Sequence, residues 1–401
     1  MNLKKLNEFQ FNRMEFAGSL GELGTLIPLS VALITINDLG FTPIFLMVGL
    51  FYLVTGYYYR LPIPIQPLKV VAAIAIAFPD KITLPVMSAT GILFGIILTL
   101  LAITGAIDHI SRFFTRPIVR GIQLGLGFIL MIKGISLVNT PELFVNSVSM
   151  GGGNGFSQSV IPFNLIIGIG GFLLGLVFIS SRRYPAALVL IFTGIFAGVL
   201  LGGGAKINWL LGPTPLSLYV PGAEDYWNAL ILLVIPQIPL TIGNAIMGTA
   251  DTSKNLFGED QSCRVTHKSL ALDMGIFNFF TGLIGAMPMC HGAGGLAAHH
   301  RFGARTGGSN LMIGIIFVSV ALILGKTGIS IFSTIPNAIL GVLLMFAGLE
   351  LALIVRDLDN KKDFFTAFLI AGIAVATKNM GIAFGLGIVV SQVLKLDRIK
   401  I

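Results

Sequence analysis

The chain has 401 residues, of which 55% are hydrophobic and only 11% charged, and its net charge is +8. A soluble domain has roughly 25% charged residues, so the composition excludes a soluble enzyme, a disordered chain and a coiled coil. The basic residues are scattered between apolar runs and do not form the patch of a nucleic-acid-binding protein. Cys263 and Cys290 lack the spacing of a metal site or a disulfide framework. We predict an all-α polytopic membrane protein without a metal ion or other cofactor.

Apolar segments follow one another along the whole chain, and most reach the roughly 18 residues that a membrane-spanning helix needs. Two are shorter, at 67–78 and 291–304, and each follows a proline-containing stretch that we expect to be extended. The sequence therefore predicts fourteen transmembrane segments, of which two are half-helices preceded by short strands. The predicted segments are 14–36, 42–59, 67–78, 84–107, 117–138, 161–180, 185–204, 226–250, 267–284, 291–304, 307–325, 331–355, 362–377 and 379–396.

An internal repeat relates the two halves of the chain. A shift of 224 residues aligns 61–67 with 285–291, matches Pro64 with Pro288, and places the first segment on the eighth. Because each copy has seven segments, an odd number, the second copy is expected to be inverted in the membrane. Inverted repeats with paired broken helices are typical of secondary transporters, whose substrate sites lie near the bilayer midplane.

The positive charges predict the orientation. If all fourteen segments cross and the N-terminus is cytoplasmic, twenty of the 26 Lys and Arg residues lie inside and two, Lys69 and Lys133, lie within apolar segments. Only four remain outside: Lys81, Lys206, Lys326 and Lys378. This bias predicts cytoplasmic termini, and we expect the protein in the plasma membrane with a first segment that is retained and not cleaved as a signal peptide.

The starts of the two half-helices predict an anion site. One begins with Gln66 and Lys69, and the other with His291 and a glycine-rich turn. Helix N-termini favour anions, and a lysine within the membrane, at a cost of at least about 2.5–3.5 kcal/mol, needs a partner or a substrate. Lys69 could instead pair with Glu22, His291 could be a satisfied helix-start residue, and the glycines could serve helix packing. His299 and His300 are expected to mark a cytoplasmic helix end.

Other polar residues lie within apolar segments. Glu22 follows closely spaced glycines in the first segment, and Glu350 lies in the twelfth. A carboxyl group at these depths can carry a proton for coupling, although a permanent ion pair or a structural role is the alternative for each. The predicted substrate-binding residues are Ser19, Thr25, Gln66, Lys69, Gln237, Thr241, Asn244, His291, Gly292, Ala293, Gly294 and Gly295. The chain lacks P-loop, zinc-helix and nucleophile-elbow motifs, so we do not expect an enzyme or an ATP-driven pump.

Five stretches of this sequence resemble the molybdate transporter family, a branch related to the sulfate permeases: Phe16-Ala-Gly-Ser-Leu-Gly-Glu-Leu-Gly-Thr25, Pro62-Ile-Pro-Ile-Gln-Pro-Leu-Lys69, Pro236-Gln-Ile-Pro-Leu-Thr241, Pro288-Met-Cys-His-Gly-Ala-Gly-Gly-Leu296 and Arg301-Phe-Gly-Ala-Arg305. The resemblance implies seven plus seven inverted spans divided into a core domain (14–107 and 226–325) and a gate domain (108–204 and 331–396). Typical sulfate permeases carry a soluble C-terminal regulatory domain, whereas we expect none in this protein. Glu22 stands where the family more often has Asp.

The resemblance also implies the function. We expect a proton-coupled secondary transporter of the elevator type that imports molybdate. The expected partners of the protein are membrane lipid and a second copy of the chain, bound through the gate domain. Proton coupling would offset the cost of moving a dianion inward, about 2.3 kcal/mol per charge per 100 mV. The alternatives are a sulfate or other anion permease of the same fold, and a passive anion channel. A nucleobase permease is disfavoured, because a neutral nucleobase does not need Lys69.

Overall fold

A computed structural model describes residues 8–110, 115–145, 163–179, 181 and 185–394. The two predicted cytoplasmic termini lie outside these ranges. So do the start of the predicted segment at 161–180 and the end of the one at 379–396.

Eighteen α-helices make up most of the described residues. In chain order they are α1 (Arg13–Ser19), α2 (Leu23–Ile36), α3 (Phe41–Tyr59), α4 (Lys69–Ala77), α5 (Leu84–Thr104), α6 (Ile107–Ile110), α7 (Arg116–Val138), α8 (Phe163–Phe178), α9 (Ala186–Leu200), α10 (Ala223–Ala229), α11 (Ile235–Leu240), α12 (Thr249–Gln261), α13 (His267–Leu283), α14 (Ala293–Phe302), α15 (Gly308–Phe332), α16 (Asn337–Leu353), α17 (Lys361–Thr377) and α18 (Met380–Val393). Two π-helical turns, Leu230–Val234 and Thr241–Gly248, join α10, α11 and α12, and 3-10 turns follow α9 and α16.

Each predicted apolar segment contains one or more of these helices, but several bounds differ. The first segment is two helices, α1 and α2, that meet at 44°. The eighth predicted segment, 226–250, corresponds to the helical stretch from α10 to α12, which continues to Gln261. The helix extends past the apolar run because polar residues can also be helical. Within the described ranges, six helical stretches are long and apolar enough to cross a membrane, and the bent α1–α2 pair makes a seventh. The fold is therefore helical and polytopic, while fourteen crossings stay a prediction.

Two short strands precede the two short helices, as the prolines predict. β1 (Gln66–Pro67) leads into α4, and β2 (Met289–Cys290) comes shortly before α14. The strands pair antiparallel, with Gln66 opposite Cys290 and Pro67 opposite Met289. The pairing brings the beginnings of α4 and α14 to the same place in the fold.

The extended chain before β1 is buried, and its carbonyl groups depend on side chains for hydrogen bonds. The prolines there lack an N–H group and cannot lie within a helix. The carbonyl groups of this stretch are therefore not paired by helical hydrogen bonds and need donors from elsewhere. Four consecutive carbonyls each accept one such bond: Pro62 from His299 Nδ1 (3.1 Å), Ile63 from Asn310 Nδ2 (2.6 Å), Pro64 from His291 Nδ1 (3.0 Å) and Ile65 from the Tyr52 hydroxyl (3.1 Å). These donors come from four different positions on three helices and the α14 entry.

The second strand is held by one asparagine. Asn278 of α13 accepts a hydrogen bond from the Met289 N–H (2.7 Å) and donates one to the Met289 carbonyl (2.8 Å). The Leu68 N–H donates to the Pro288 carbonyl at 2.9 Å, which ties the two strands together beyond the ladder. Buried polar backbone is thus satisfied on both sides of the break.

We expect Asn278→Ala to destabilise the protein, because it leaves both polar groups of Met289 unpaired in a buried place. Each unsatisfied group costs about 1–3 kcal/mol. Thermal unfolding in detergent should show a clearly lower Tm than for wild type. Asn208→Ala, at an exposed asparagine, is the control and should leave Tm unchanged. Equal Tm values for the two variants would contradict this role of Asn278.

Candidate functional site

A cavity of about 360 Å³ lies where the two half-helices begin. One wall consists of the α1–α2 bend, α2, the first turn of α4 and one side of α14 from its first turn to its last. The opposite wall consists of α7, α9, α16 and the chain between α8 and α9. Its polar and charged lining residues are Glu22, Thr25, Lys69, Ser181, Arg301 and Glu350, and Gly294 and Gly295 contribute backbone.

Lys69 is the first residue of α4 and lies directly on the cavity. Its position follows from the chain before it, since Pro67 and Leu68 are extended and the helix can begin only after them. The next N–H group, that of Val70, donates to Gln237 Oε1 at 2.9 Å. Gln237 in turn donates to the Thr241 hydroxyl at 2.9 Å. These two polar residues of the α10–α12 stretch therefore hold the start of α4.

The glycines at the start of α14 have different surroundings. A Cβ atom at Gly292 would collide with the side chain of Gln66, and one at Gly295 would collide with the Glu22 carboxyl group. A Cβ atom at Gly294 would meet nothing within 4 Å, and this residue lines the cavity. The first N–H groups of a helix have no partner within it and favour an anion. At Gly294 these N–H groups can be approached by an anion from the cavity.

Glu22 lies at the bend between α1 and α2 and is almost completely buried, with 4% of its surface exposed. One carboxyl oxygen reaches Gly295, and the other is buried without a hydrogen-bond partner among the described residues. Glu22 interacts electrostatically with Lys69 and Glu350, and Glu350 interacts with Lys69. The cavity therefore combines one lysine with two carboxyl groups that both act on it.

Six of the predicted site residues line the cavity: Glu22, Thr25, Lys69, Gly294, Gly295 and Glu350. The other predicted residues are not part of the lining in the described structure. They are Ser19, whose hydroxyl donates to the Phe16 carbonyl (2.7 Å), Gln66, whose amide donates to the His291 carbonyl (2.7 Å), and Gln237, Thr241, Asn244, His291, Gly292 and Ala293. Direct contact of these residues with a substrate stays a prediction.

His291 is fixed on both ring nitrogens. Nδ1 lies 3.0 Å from the Pro64 carbonyl, which can only accept, so Nδ1 carries a proton. Nε2 lies 3.1 and 3.2 Å from the two carboxyl oxygens of Asp273, and one of these oxygens accepts a bond from the Tyr59 hydroxyl (2.7 Å). His291 therefore has the surroundings of a satisfied helix-start histidine, the alternative that the sequence leaves open.

Sequence reasoning missed two residues here. Asp273, the partner of His291, is a carboxylate within an apolar segment, and that position alone could have marked it as functional or structural. Arg301 lines the cavity at the C-terminal end of α14, although the sequence placed it only among the cytoplasmic charges. Among the described residues, no group of three or more His, Cys, Asp or Glu side chains could hold a metal ion.

A family model described as "Molybdate transporter of MFS superfamily" matches residues 14–130 and 229–351, more than half of the chain. The chain belongs to the molybdate transporter family. The matched ranges contain Glu22, Lys69 and Glu350, three of the four charged residues that line the cavity, and its lining glycines Gly21, Gly24, Gly294 and Gly295. Arg301 lies within the second range as well.

Curated relatives agree with this assignment. The chain is 29% identical to "Molybdate transporter 2" of Arabidopsis thaliana over 95% of its own length and 87% of that protein. It is 27% identical to "Molybdate transporter 1" of Chlamydomonas reinhardtii, with 95% and 91% covered. These proteins are named as transporters of molybdate.

Solved structures show the same fold at low sequence identity. The transmembrane domain of the cyanobacterial bicarbonate transporter BicA has a TM-score of 0.66 and 16% identity, covering 94% of this chain and 98% of that one. The murine anion transporter Slc26a9, in its inward-facing state, has a TM-score of 0.68 and 14% identity, covering 100% of this chain and 70% of that one. This molybdate transporter family member therefore shares its fold with BicA and Slc26a9.

We expect Gly295→Ala to destabilise the protein, because its new methyl group would occupy the place of the Glu22 carboxyl group. Gly294→Ala is the matched control one residue away, where the methyl group enters open space and alanine favours the helix. Thermal unfolding in detergent should give a lower Tm for Gly295→Ala and an unchanged or slightly higher Tm for Gly294→Ala. A lower Tm for Gly294→Ala than for Gly295→Ala would contradict the contact between Gly295 and the Glu22 carboxyl group.

Proposed function

We propose that this protein is a proton-coupled secondary transporter that imports molybdate by an elevator-type movement. The observation that carries the proposal is the meeting of Lys69 and the starts of two half-helices at one cavity. Backbone N–H groups and one fixed cation are the groups that bind a small oxyanion, whereas a neutral nucleobase would not need the lysine. The curated relatives, which are named as molybdate transporters, support molybdate as the oxyanion.

The helix packing supports an inverted repeat. A shift of 224 residues takes α3 to 265–283, α4 to 293–301 and α5 to 308–328, which are nearly the bounds of α13, α14 and α15. α3 packs closely on α15, and its repeat equivalent α13 packs closely on α5. Gln66 pairs with Cys290, its own equivalent under this shift. These are the relations expected if a pseudo-two-fold axis passes between the two strands.

The position of the cavity supports elevator-type transport. Lys69, Glu22 and the start of α14 belong to the proposed core domain, while α7, α9 and α16 belong to the proposed gate domain. Glycines bring α7 and α16 into close contact, since a Cβ atom at Gly127 would lie 2.5 Å from the Gly348 carbonyl oxygen. A gate held together in this way can stay fixed while the core carries the site past it.

The lining also supports an inward-facing conformation. Ser181, Pro185 and Arg301 border the cavity. By the positive-inside assignment these residues lie close to cytoplasmic segments. A substrate in the cavity would then leave toward the cytoplasm.

Glu22 and Glu350 are the proposed proton carriers. Both lie at the cavity beside Lys69, where a dianion would face two carboxylates unless they are protonated. Protons that enter with the dianion also reduce the charge that moves against a negative-inside potential. The site thus has an electrostatic reason to take up protons and oxyanion together.

Calorimetric titration of molybdate into the purified protein, with sulfate as competitor, is the first test. We expect molybdate to bind and excess sulfate to displace it poorly. Equal or tighter sulfate binding would identify a sulfate permease with the same site. If neither anion binds, the proposed anion site is wrong. Currents far above carrier turnover in proteoliposomes would identify a channel.

Lys69→Ala should abolish oxyanion binding while the protein still folds, because it removes the cation and leaves the strands and their hydrogen bonds in place. Lys254→Ala, at an exposed lysine of α12, is the control for the loss of one positive charge. Calorimetry should show wild-type affinity for the control only. Wild-type affinity in Lys69→Ala would contradict the proposed site.

Gly294→Ala should weaken molybdate binding without loss of stability, because its methyl group would block the open approach to the α14 N–H groups. Gly372→Ala, where a Cβ atom also meets nothing within 4 Å but which lies on the exposed side of α17, is the matched control. Unchanged affinity in Gly294→Ala would mean that the oxyanion does not approach the helix there.

A further inference from the structure

Glu350 and Lys69 face one cavity from its two opposite walls. Lys69 begins α4 in the proposed core domain, and Glu350 lies on α16, which packs along α7 in the proposed gate domain. Lys69 is the charged residue that acts on Glu350. The Glu350 side chain is exposed, and it lines the cavity. A carboxyl group of the gate therefore lies across the cavity from the lysine of the site, is influenced by its charge, and is accessible from the cavity.

The charges at the cavity leave little room for an added dianion. The charged lining residues in the described structure are Lys69 and Arg301, which are basic, and Glu22 and Glu350, which are acidic. Arg301 lies at the C-terminal end of α14, about two turns from Gly294. Near the half-helix starts, one lysine and about half a positive charge from each helix face two carboxylates. This set is already close to neutral without any substrate.

Glu22 and Glu350 differ in their freedom to move aside. Glu22 is buried against Gly295, in the same wall as Lys69. Glu350 is on the other wall, and its side chain is exposed and lines the cavity. Of the two carboxylates, Glu350 is the one that an incoming anion can replace beside Lys69 without a rearrangement of the half-helices.

We infer that Glu350 is a resident anion of the empty transporter, and that the oxyanion takes its place at Lys69 while Glu350 binds a proton from water in the cavity. This inference rests on the proposed function and assigns one of its coupled protons to a residue. In the empty state the attraction between Glu350 and Lys69 links the gate to the core. When the oxyanion binds and Glu350 becomes neutral, that link is lost and the core is free to move.

Proton uptake during binding tests this exchange. Molybdate is titrated into wild type and Glu350→Gln by calorimetry, at several pH values and in buffers of different ionisation enthalpy, which gives the number of protons bound per oxyanion. We expect Glu350→Gln to bind about one proton fewer than wild type. Because a linked proton weakens binding by up to about tenfold per pH unit as pH rises, we also expect a flatter pH profile and tighter binding above neutral pH in this variant.

Three further variants complete the test. Glu350→Ala removes the same carboxyl group and should behave like Glu350→Gln, so either variant suffices if the other does not fold. Glu350→Asp keeps the carboxyl group and should keep the proton uptake. Glu259→Gln, at an exposed carboxylate of α12, controls for the loss of one negative charge and should match wild type.

The outcomes separate this inference from the proposal on which it rests. If wild type binds molybdate but Glu350→Gln takes up the same number of protons with the same pH profile, Glu350 is not the resident anion. If wild type binds no molybdate, the proposed function itself fails.

Discussion

The fold depends on satisfying the backbone of two broken helices far from water. An interrupted helix within a membrane protein leaves N–H and C=O groups that neither lipid nor the helix can pair. Here prolines at 62, 64 and 67 interrupt the helix, and four side chains donate hydrogen bonds to four consecutive carbonyls. Asn278 does the same for the second strand. Three of these donors, His291, His299 and Asn310, lie more than 200 residues from the carbonyls they bind, so the second half of the chain must pack on the first for the strands to stay buried.

This requirement also decides where chemistry can occur. Gln66, Gln237 and His291 are polar and close to the half-helices, but each of them already makes a hydrogen bond that holds the strands or the start of α4. The groups left over are the first N–H groups at the open side of α14, the Lys69 ammonium group and two carboxyl groups. The surplus of donors and charge is therefore concentrated in one place, next to a cavity.

The sequence predicted much of this architecture, because its strongest signals are local. Prolines and the 224-residue shift were enough to predict both strands and both short helices, and the charges of Lys69, Glu22 and Glu350 within apolar segments were enough to predict half of the site. The directions of side chains were not predictable in the same way. Whether His291 faces a substrate or Asp273 depends on the packing of α13 against the strands. The same holds for Gln237, whose partner Val70 is 167 positions away, and for the α1–α2 bend, which falls at Gly21 and Glu22 inside one predicted segment.

The placement of the acids then bears on how binding could drive movement. Glu22 shares a wall with Lys69, so the distance between them stays the same whichever way the core moves. Glu22 therefore affects the charge of the site, but its interaction with Lys69 does not depend on the position of the core. A carboxylate on α16 has a different relation, because its distance to Lys69 must change if α4 slides past the gate. In the proposed mechanism, charge neutralisation at Glu350 is therefore the step that couples occupancy of the site to mobility of the core. A transporter built this way has an electrostatic reason not to move its core while the site is empty and Glu350 is charged.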